Sequence, residues 1–304
     1  MRVRAFAKIN RSLHVLGPAG GGYHRLRTVF QSIALHDTLV FRVRGGPFTM
    51  ACSDPACPAD RANLAWRAAA AVWRAAGRRG EPEGLAVTIT KRIPMQAGLG
   101  GGSSDAAAAL RACAALWAPR LPRAALRRLA AGLGADVPFF LEGGTVLGLG
   151  RGDLLTPLAD APAAFVVLAI PGCRVSTRDA FAWWDAARRR RDGPMAPAAA
   201  IRPNDLEAVV ARRHPAIGRI VAALVAAGAS QAAMTGSGSA VFGLFESREG
   251  ARAAEAAAGR AGAEALVTRT LNRRSYLRLA APDLPSSRPS SKLSRLHHVV
   301  RGRT

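Results

Sequence analysis

Lysine is nearly missing from this chain. Of its 43 basic residues only Lys8, Lys91 and Lys292 are lysine, and arginine fills the other positions. Tyrosine (Tyr23, Tyr276) and asparagine (Asn10, Asn63, Asn204, Asn272) are also scarce. A position that keeps a scarce type is one where its particular chemistry counts, and lysine offers a compact point charge with a tunable pKa that a guanidinium does not replace. Lys8, Asn10 and Tyr23 all fall in the first 23 residues. Cysteine is sparse too. Cys52, Cys57, Cys113 and Cys173 include no second close pair and have no nearby His-x3-5-His, so they do not make a zinc site and read as reduced, structurally minor thiols.

Long apolar runs are absent. The longest uncharged one, around residues 163–173, is too short to span a bilayer, and MRVRAFAKIN lacks the apolar core of a signal peptide. The expectation is a cytoplasmic protein with no membrane partner. Acidic residues number 20 against 43 basic ones, for a net charge of +23. That charge raises RNA binding as a rival function, because basic surfaces bind phosphate backbones by releasing counterions. The distribution weighs against it. Residues 273–304 hold +7 of the total and the rest is spread over the first 272. The one dense block in the body, Arg188 to Arg191, reads as a solvated helix end with no aromatics interleaved to stack bases. No nucleic-acid partner is expected.

What the chain does have is MQAGLGGGSSDAAAAL at 95–110. Glycines this dense serve positive φ or close approach, and alanine is the best helix former, so a loop feeds a helix that Ser103, Ser104 or Asp105 would cap. LAVTITKRIP at 85–94 alternates before Pro94, which predicts a strand just upstream. Strand, glycine loop and helix N-terminus in that order make an anion site, most commonly for phosphate. Neither the Walker spacing nor the dinucleotide fingerprint fits, since no lysine follows the glycines and Ser103 takes the last glycine position. The alternative is a flexible linker, which does not belong between a strand and an alanine helix.

The pattern predicts an α+β fold in two domains. Residues 1–157 mix strands (2–9, 38–44, 85–92, 144–149) with helices (61–77, 104–117, 122–132). Residues 158–282 run strand 164–170, helices near 178–190, 204–213 and 215–228, strands near 231–234 and 240–245, helix 248–261 and strand 265–271, the order of a ferredoxin-like sandwich. A Pro-, Ala- and Gly-rich loop is expected at 192–203 and a basic, disordered tail at 283–304.

Read together, AKIN at 7–10, GYH at 22–24, PMQAGLGGGSSDAA at 94–107, GADVPFF at 134–140 and MTGSGSAVFGLF at 234–245 resemble the GHMP kinases from Arg4 to about Arg278. The resemblance implies a ribosomal-protein-like N-terminal domain and a ferredoxin-like C-terminal one. It also implies ATP with Mg2+ as cofactors, and transfer of phosphate to a hydroxyl of a small molecule carrying a cytidine diphosphate group, in isoprenoid-precursor synthesis. A monomer or weak homodimer is expected. Gln96 and Ala97 stand where many members have glycine, and Arg11 and Ser12 replace residues usually apolar.

By the same resemblance, Pro94, Met95, Gln96, Ala97, Gly98, Leu99, Gly100, Gly101, Gly102, Ser103 and Ser104 wrap the ATP phosphates, with a serine hydroxyl near magnesium, and Asn63 and Lys91 lie on the adenine side. Asp136 accepts the proton of the substrate hydroxyl, and Lys8 holds that carboxylate and lowers the hydroxyl's pKa. Asn10, two residues from Lys8 on the same strand face, contacts substrate. Tyr23 stacks on cytosine and His24 bonds to its edge, while Thr177 and Phe181 supply the opposite wall. The TGSG turn at 235–238 closes on the first loop. Each has a plainer reading. Asp136 and Asn63 are helix caps, Lys8 a solvated edge-strand lysine, Tyr23 and His24 turn residues, Phe181 core, and the TGSG glycines a hairpin. A same-fold kinase for homoserine, mevalonate or a sugar is the runner-up, and it would need no aromatic sandwich for a base.

Overall fold

The computed structural model describes residues 1–189 and 203–283. The tail expected at 283–304, save Asp283, and the loop at 192–203, save Pro203, lie outside the described residues.

The chain opens with one long hairpin. β1 (Arg2–Gly20) pairs antiparallel with β2 (Tyr23–Pro47), where two separate short strands were expected at 2–9 and 38–44. Register shifts at Phe6/Lys8, Asn10/Ser12, Val15/Gly17 and Pro18/Gly20 break the two-residue alternation, which hides the strand from a periodicity reading. Gly20, Gly21 and Gly22 turn the chain at φ of 84°, 60° and 79°, a region L side chains avoid.

The first sheet runs β3 (Thr49–Cys52), β4 (Glu83–Thr90), β2, β5 (Thr145–Gly150), β6 (Leu154–Pro157), with β1 on β2. The short strands β3 and β6 escaped the sequence reading. Helices α1 (Leu64–Ala75), α2 (Gly101–Trp117), α3 (Arg123–Leu133) and the single turn α4 (Phe139–Glu142) share a core with this sheet. The alanines find their purpose here. Ala65, Ala68 and Ala69 of α1 and Ala106 to Ala109 of α2 are buried, and side chains this small let helix backbones approach closely.

The second sheet is antiparallel in the order β10 (Ala263–Arg269), β7 (Phe165–Pro171), β9 (Val241–Phe245), β8 (Gln231–Met234), with α5 (Thr177–Arg189), α6 (Glu207–Ala211), α7 (Pro215–Ala226) and α8 (Arg248–Arg260) between strands. That is the ferredoxin-like arrangement the sequence predicts. The helix expected at 204–213 shortens to α6 because Asn204 makes a turn, accepting from the Leu206 N–H at 3.0 Å.

The two sheets share apolar surface. Ala7, Ile9, Ile33 and Leu99 pack with Val166, Leu168 and Phe242, and the far half of β1 goes further, burying Leu13 and Val15 in the second core. The final helix, α9 (Arg273–Ala280), returns to the first sheet, where the Tyr276 hydroxyl donates to Phe140 O at 2.6 Å. No helix among the described residues is long and apolar enough to cross a membrane.

Candidate active site

A cleft of 1460 Å³ opens between the sheets, lined by Lys8 and Asn10 of β1, Pro94 to Ser103, the Gly134–Asp136 turn, the tip of the β1–β2 hairpin, α5 and the Gly236–Gly238 turn.

The glycine loop is built by close approach. At Gly98, φ +77°, an added Cβ would lie 2.1 Å from Thr235 O, so a side chain there would collide with backbone. Thr235 Oγ1 donates to Gly98 O at 3.4 Å and the Ala240 N–H to Ala97 O at 3.2 Å. The TGSG turn therefore closes on the first loop. Gly100, φ 73°, is the N-cap of α2 and gives it no side-chain cap, and the first turn holds no acidic residue. The helix thus starts three residues before the expected position, and neither serine nor Asp105 caps it. Seventeen residues of aligned peptide dipoles end on uncapped N–H groups at the cleft wall, which is where an anion is held.

Lys8 lies at the floor. Its ammonium donates to Asn10 Oδ1 at 2.6 Å, stands 5.5 Å from the Phe30 ring centroid and faces Asp136 Oδ2 at 3.5 Å. The solvated-lysine reading fails, since Lys8 is 3% exposed. Asn10 is locked in turn: its Nδ2 donates to Thr28 Oγ1 at 2.7 Å and its backbone N–H to Thr235 Oγ1 at 2.9 Å. Asp136 caps no helix, because the N-cap of α4 is Pro138.

An aromatic group stands at the other end. His24 and Phe181 stack with centroids 4.7 Å apart and planes 16° apart, Trp184 meets His24 edge-on at 5.7 Å, and His24 Nε2 bonds Asp185 Oδ1 at 2.9 Å. Phe181 thus faces the histidine, where the sequence reading set it opposite Tyr23 around a base. Tyr23 lines the cleft, 58% exposed, and Thr177 Oγ1 shares a 3.0 Å hydrogen bond with Ser237 Oγ.

Three expected ATP contacts carry structural bonds of their own, and two of them, Asn63 and Lys91, also line the cleft. The Lys91 ammonium is bound between Asp37 and, at 2.8 Å, Asp105. Burial pulls its pKa down and the two carboxylates outweigh burial, leaving it raised. Held there, it anchors β4 and the start of α2 to Asp37 while still lining the cleft. Burial pushes the Asp105 carboxyl up, Lys91 opposes this and Asp37 adds to it, to a pKa of about 7; its Oδ1 has no partner. Asn63 is the cap of α1, accepting from the Ala65 N–H at 2.8 Å while its Nδ2 donates to Pro58 O at 2.6 Å. The Ser104 hydroxyl donates to Phe6 O at 2.7 Å, which leaves Ser103 as the serine of this loop that lines the cleft.

Residues 63–144 match the model of the GHMP kinases N terminal domain and residues 185–264 that of the GHMP kinases C terminal domain. The 4-diphosphocytidyl-2-C-methyl-D-erythritol kinase of Moorella thermoacetica is 43% identical over 283 residues, 88% of this chain and 98% of that protein. The chain belongs to this family of GHMP kinases. The enzyme of the same name from Geobacter sulfurreducens is 41% identical, covering 84% of this chain and 94% of its own length. A crystal structure of 4-(cytidine 5'-diphospho)-2C-methyl-D-erythritol kinase superimposes with a TM-score of 0.73 at 38% identity, over 89% of this GHMP kinase and 99% of that chain. Homoserine kinase from Cytophaga hutchinsonii shares the fold, with a TM-score of 0.62 at 17% identity, 90% of this chain and 96% of that one.

Several residues that set the site in this GHMP kinase were not singled out from its sequence. Thr28 fixes Asn10 together with Thr235 of the TGSG turn, Asp37 fixes Lys91 and Asp185 fixes His24. Of Thr28, Asp37 and Asp185, Asp185 carried a local signal, lying four residues after Phe181 on one helix face.

Proposed function

We propose that the chain is an ATP-dependent kinase of isoprenoid-precursor synthesis that phosphorylates the 2-hydroxyl of 4-diphosphocytidyl-2-C-methyl-D-erythritol, the compound in its relatives' names. One observation carries the assignment of roles: Lys8 and Asp136 meet at 3.5 Å in a cleft that has an anion-binding loop at one end and an aromatic group at the other. Phosphoryl transfer asks a protein to position two oxygens and to neutralise charge.

In this reading the triphosphate lies on the backbone N–H groups of Gly98 to Ser103. Magnesium, which keeps several waters and is bound mainly through phosphates, fits a cleft with few protein ligands, and Ser103 offers it a hydroxyl. It would supply charge neutralisation. Asp136 takes the proton of the attacking hydroxyl, and Lys8 sets the carboxylate and favours the alkoxide. Asn10 orients Lys8. Tyr23, His24 and Phe181 hold the cytosine and Thr177 borders it, so that binding energy from a remote ring places the hydroxyl.

A coupled ADP-release assay over small alcohols, with and without a cytidine diphosphate group, tests this. The expected result is turnover only of the cytidyl alcohol. Preference for homoserine, mevalonate or a free sugar would replace the substrate while leaving the GHMP kinase chemistry in place.

A further inference from the structure

Tyr23 follows three glycines at the tip of a hairpin and is 58% exposed, so its ring needs a support to be set in advance of binding. The guanidinium of Arg151 lies over that ring, 5.3 Å from the centroid. Arg151 sits in the β5–β6 turn. β5 pairs with β2, Gly150 opposite Leu26, and this brings the turn beside the hairpin tip. Asp153 fixes the guanidinium, accepting from Nη2 at 2.9 Å and Nε at 3.3 Å, and from the Arg151 backbone N–H at 3.1 Å.

We propose that Arg151, set by Asp153, is a positioning residue for base recognition: it covers one face of the Tyr23 ring and holds the ring so that the other face meets the substrate's pyrimidine. The proposal rests on the cytidyl reading given above. A planar, delocalised cation stacks on an aromatic face as an ammonium does not, and a ring ordered before binding loses less freedom when the base arrives. The contact is made by residues 128 positions apart, 23 and 151, so it belongs to the fold and not to a local turn.

The test measures KM for the cytidyl alcohol and for ATP, with kcat, in Arg151→Ala, Arg151→Lys and Asp153→Asn, each alone and combined with Tyr23→Ala. Arg151→Ala alone should raise the cytidyl KM roughly 2- to 5-fold, the size of an exposed cation–π contact. Its kcat and ATP KM should change less than that. Arg151→Lys should recover part of the loss, and Asp153→Asn should show a smaller loss in the same direction. With Tyr23→Ala present, Arg151→Ala should add nothing. A loss that persists in that background would overturn the proposal in favour of direct contact with the diphosphate. An unchanged or lower KM in Arg151→Ala would overturn it as well, the latter by showing that the guanidinium blocks the face the base uses. Equilibrium binding of cytidine 5'-diphosphate is read on the same variants. Wild-type protein that binds it without turning over the cytidyl alcohol would sink the proposed function and still decide the role of Arg151; absence of binding would overturn both.

Discussion

Lys8 and Asp136 meet at 3.5 Å with unequal burial, the lysine side chain 4% exposed and the aspartate 33%. A buried cation acts through a low dielectric, so its field on a reacting oxygen is strong, while a partly open carboxylate has a route for its proton. In the proposed mechanism the pair divides the labour of the transfer between a fixed charge and a base.

Asp136→Asn should lower kcat by about 10²- to 10⁴-fold, the usual worth of a positioned base, with nucleotide affinity retained. Asp136 caps no helix, so any change in melting temperature should be limited to the loss of its ion pair with Lys8. Turnover within about tenfold of wild type ends the base assignment.

Lys8→Arg should fail too, although arginine is what this chain writes almost everywhere else. Gly100 leaves no slack, since a Cβ there would lie 3.2 Å from Lys8 Cγ, and Asn10 already accepts from the ammonium. A bulkier guanidinium overpacks the floor, and a loss of about 10²- to 10³-fold in kcat is expected, as for removal of one preorganised electrostatic group. Steady-state kinetics of the variant decide whether the site needs an ammonium or only a charge.

Tyr23→Ala should lose roughly 5- to 150-fold in kcat/KM for the cytidyl substrate, matching the worth of one base–aromatic stack, at nearly constant ATP KM. His24→Gln should narrow the preference for cytidyl over uridyl substrate, because edge hydrogen bonds alone separate those rings. A base that uses the Phe181 face must displace the His24 ring now stacked on it. Equal kinetics of both variants and wild type on both substrates would remove the pyrimidine pocket.

Asp105 gives stability a pH dependence of unusual sign. Its carboxyl is pushed up to about 7 in the folded chain, chiefly by burial, so between about pH 4 and 7 the folded state holds a proton that the unfolded state has released. This group's contribution is therefore present at low pH and lost as pH rises through 7. Melting curves at pH 5 and pH 8 should show a larger drop for wild type than for Asp105→Asn, and equal drops would refute the buried-carboxyl account.

Much of the site was legible because its signals are local. The glycine loop, the TGSG turn and the scarce Lys8, Asn10 and Tyr23 each announce themselves within a few residues. The pairing of Lys91 was not legible for the opposite reason: its carboxylate partner Asp37 lies 54 residues away and nothing beside either residue points to the other. The far half of β1 was missed because the register shifts at Asn10/Ser12, Val15/Gly17 and Pro18/Gly20 erase its alternation.

The same hairpin has a consequence for synthesis. Leu13 bonds through its backbone to Pro203 O and to the Asp205 N–H, and the Val15 N–H donates to the Asp205 side chain, partners the ribosome delivers about 190 residues later. Contacts this distant in sequence form late and slowly. A fragment of residues 1–157 should therefore leave Leu13 and Val15 uncovered, bind a hydrophobic dye and aggregate, whereas a fragment that is monomeric and dye-free would show that the first sheet folds without the second. Nascent chains would pass most of translation with an unfinished cleft, and phosphoryl transfer would begin only once the second core has closed over the strand that carries Lys8.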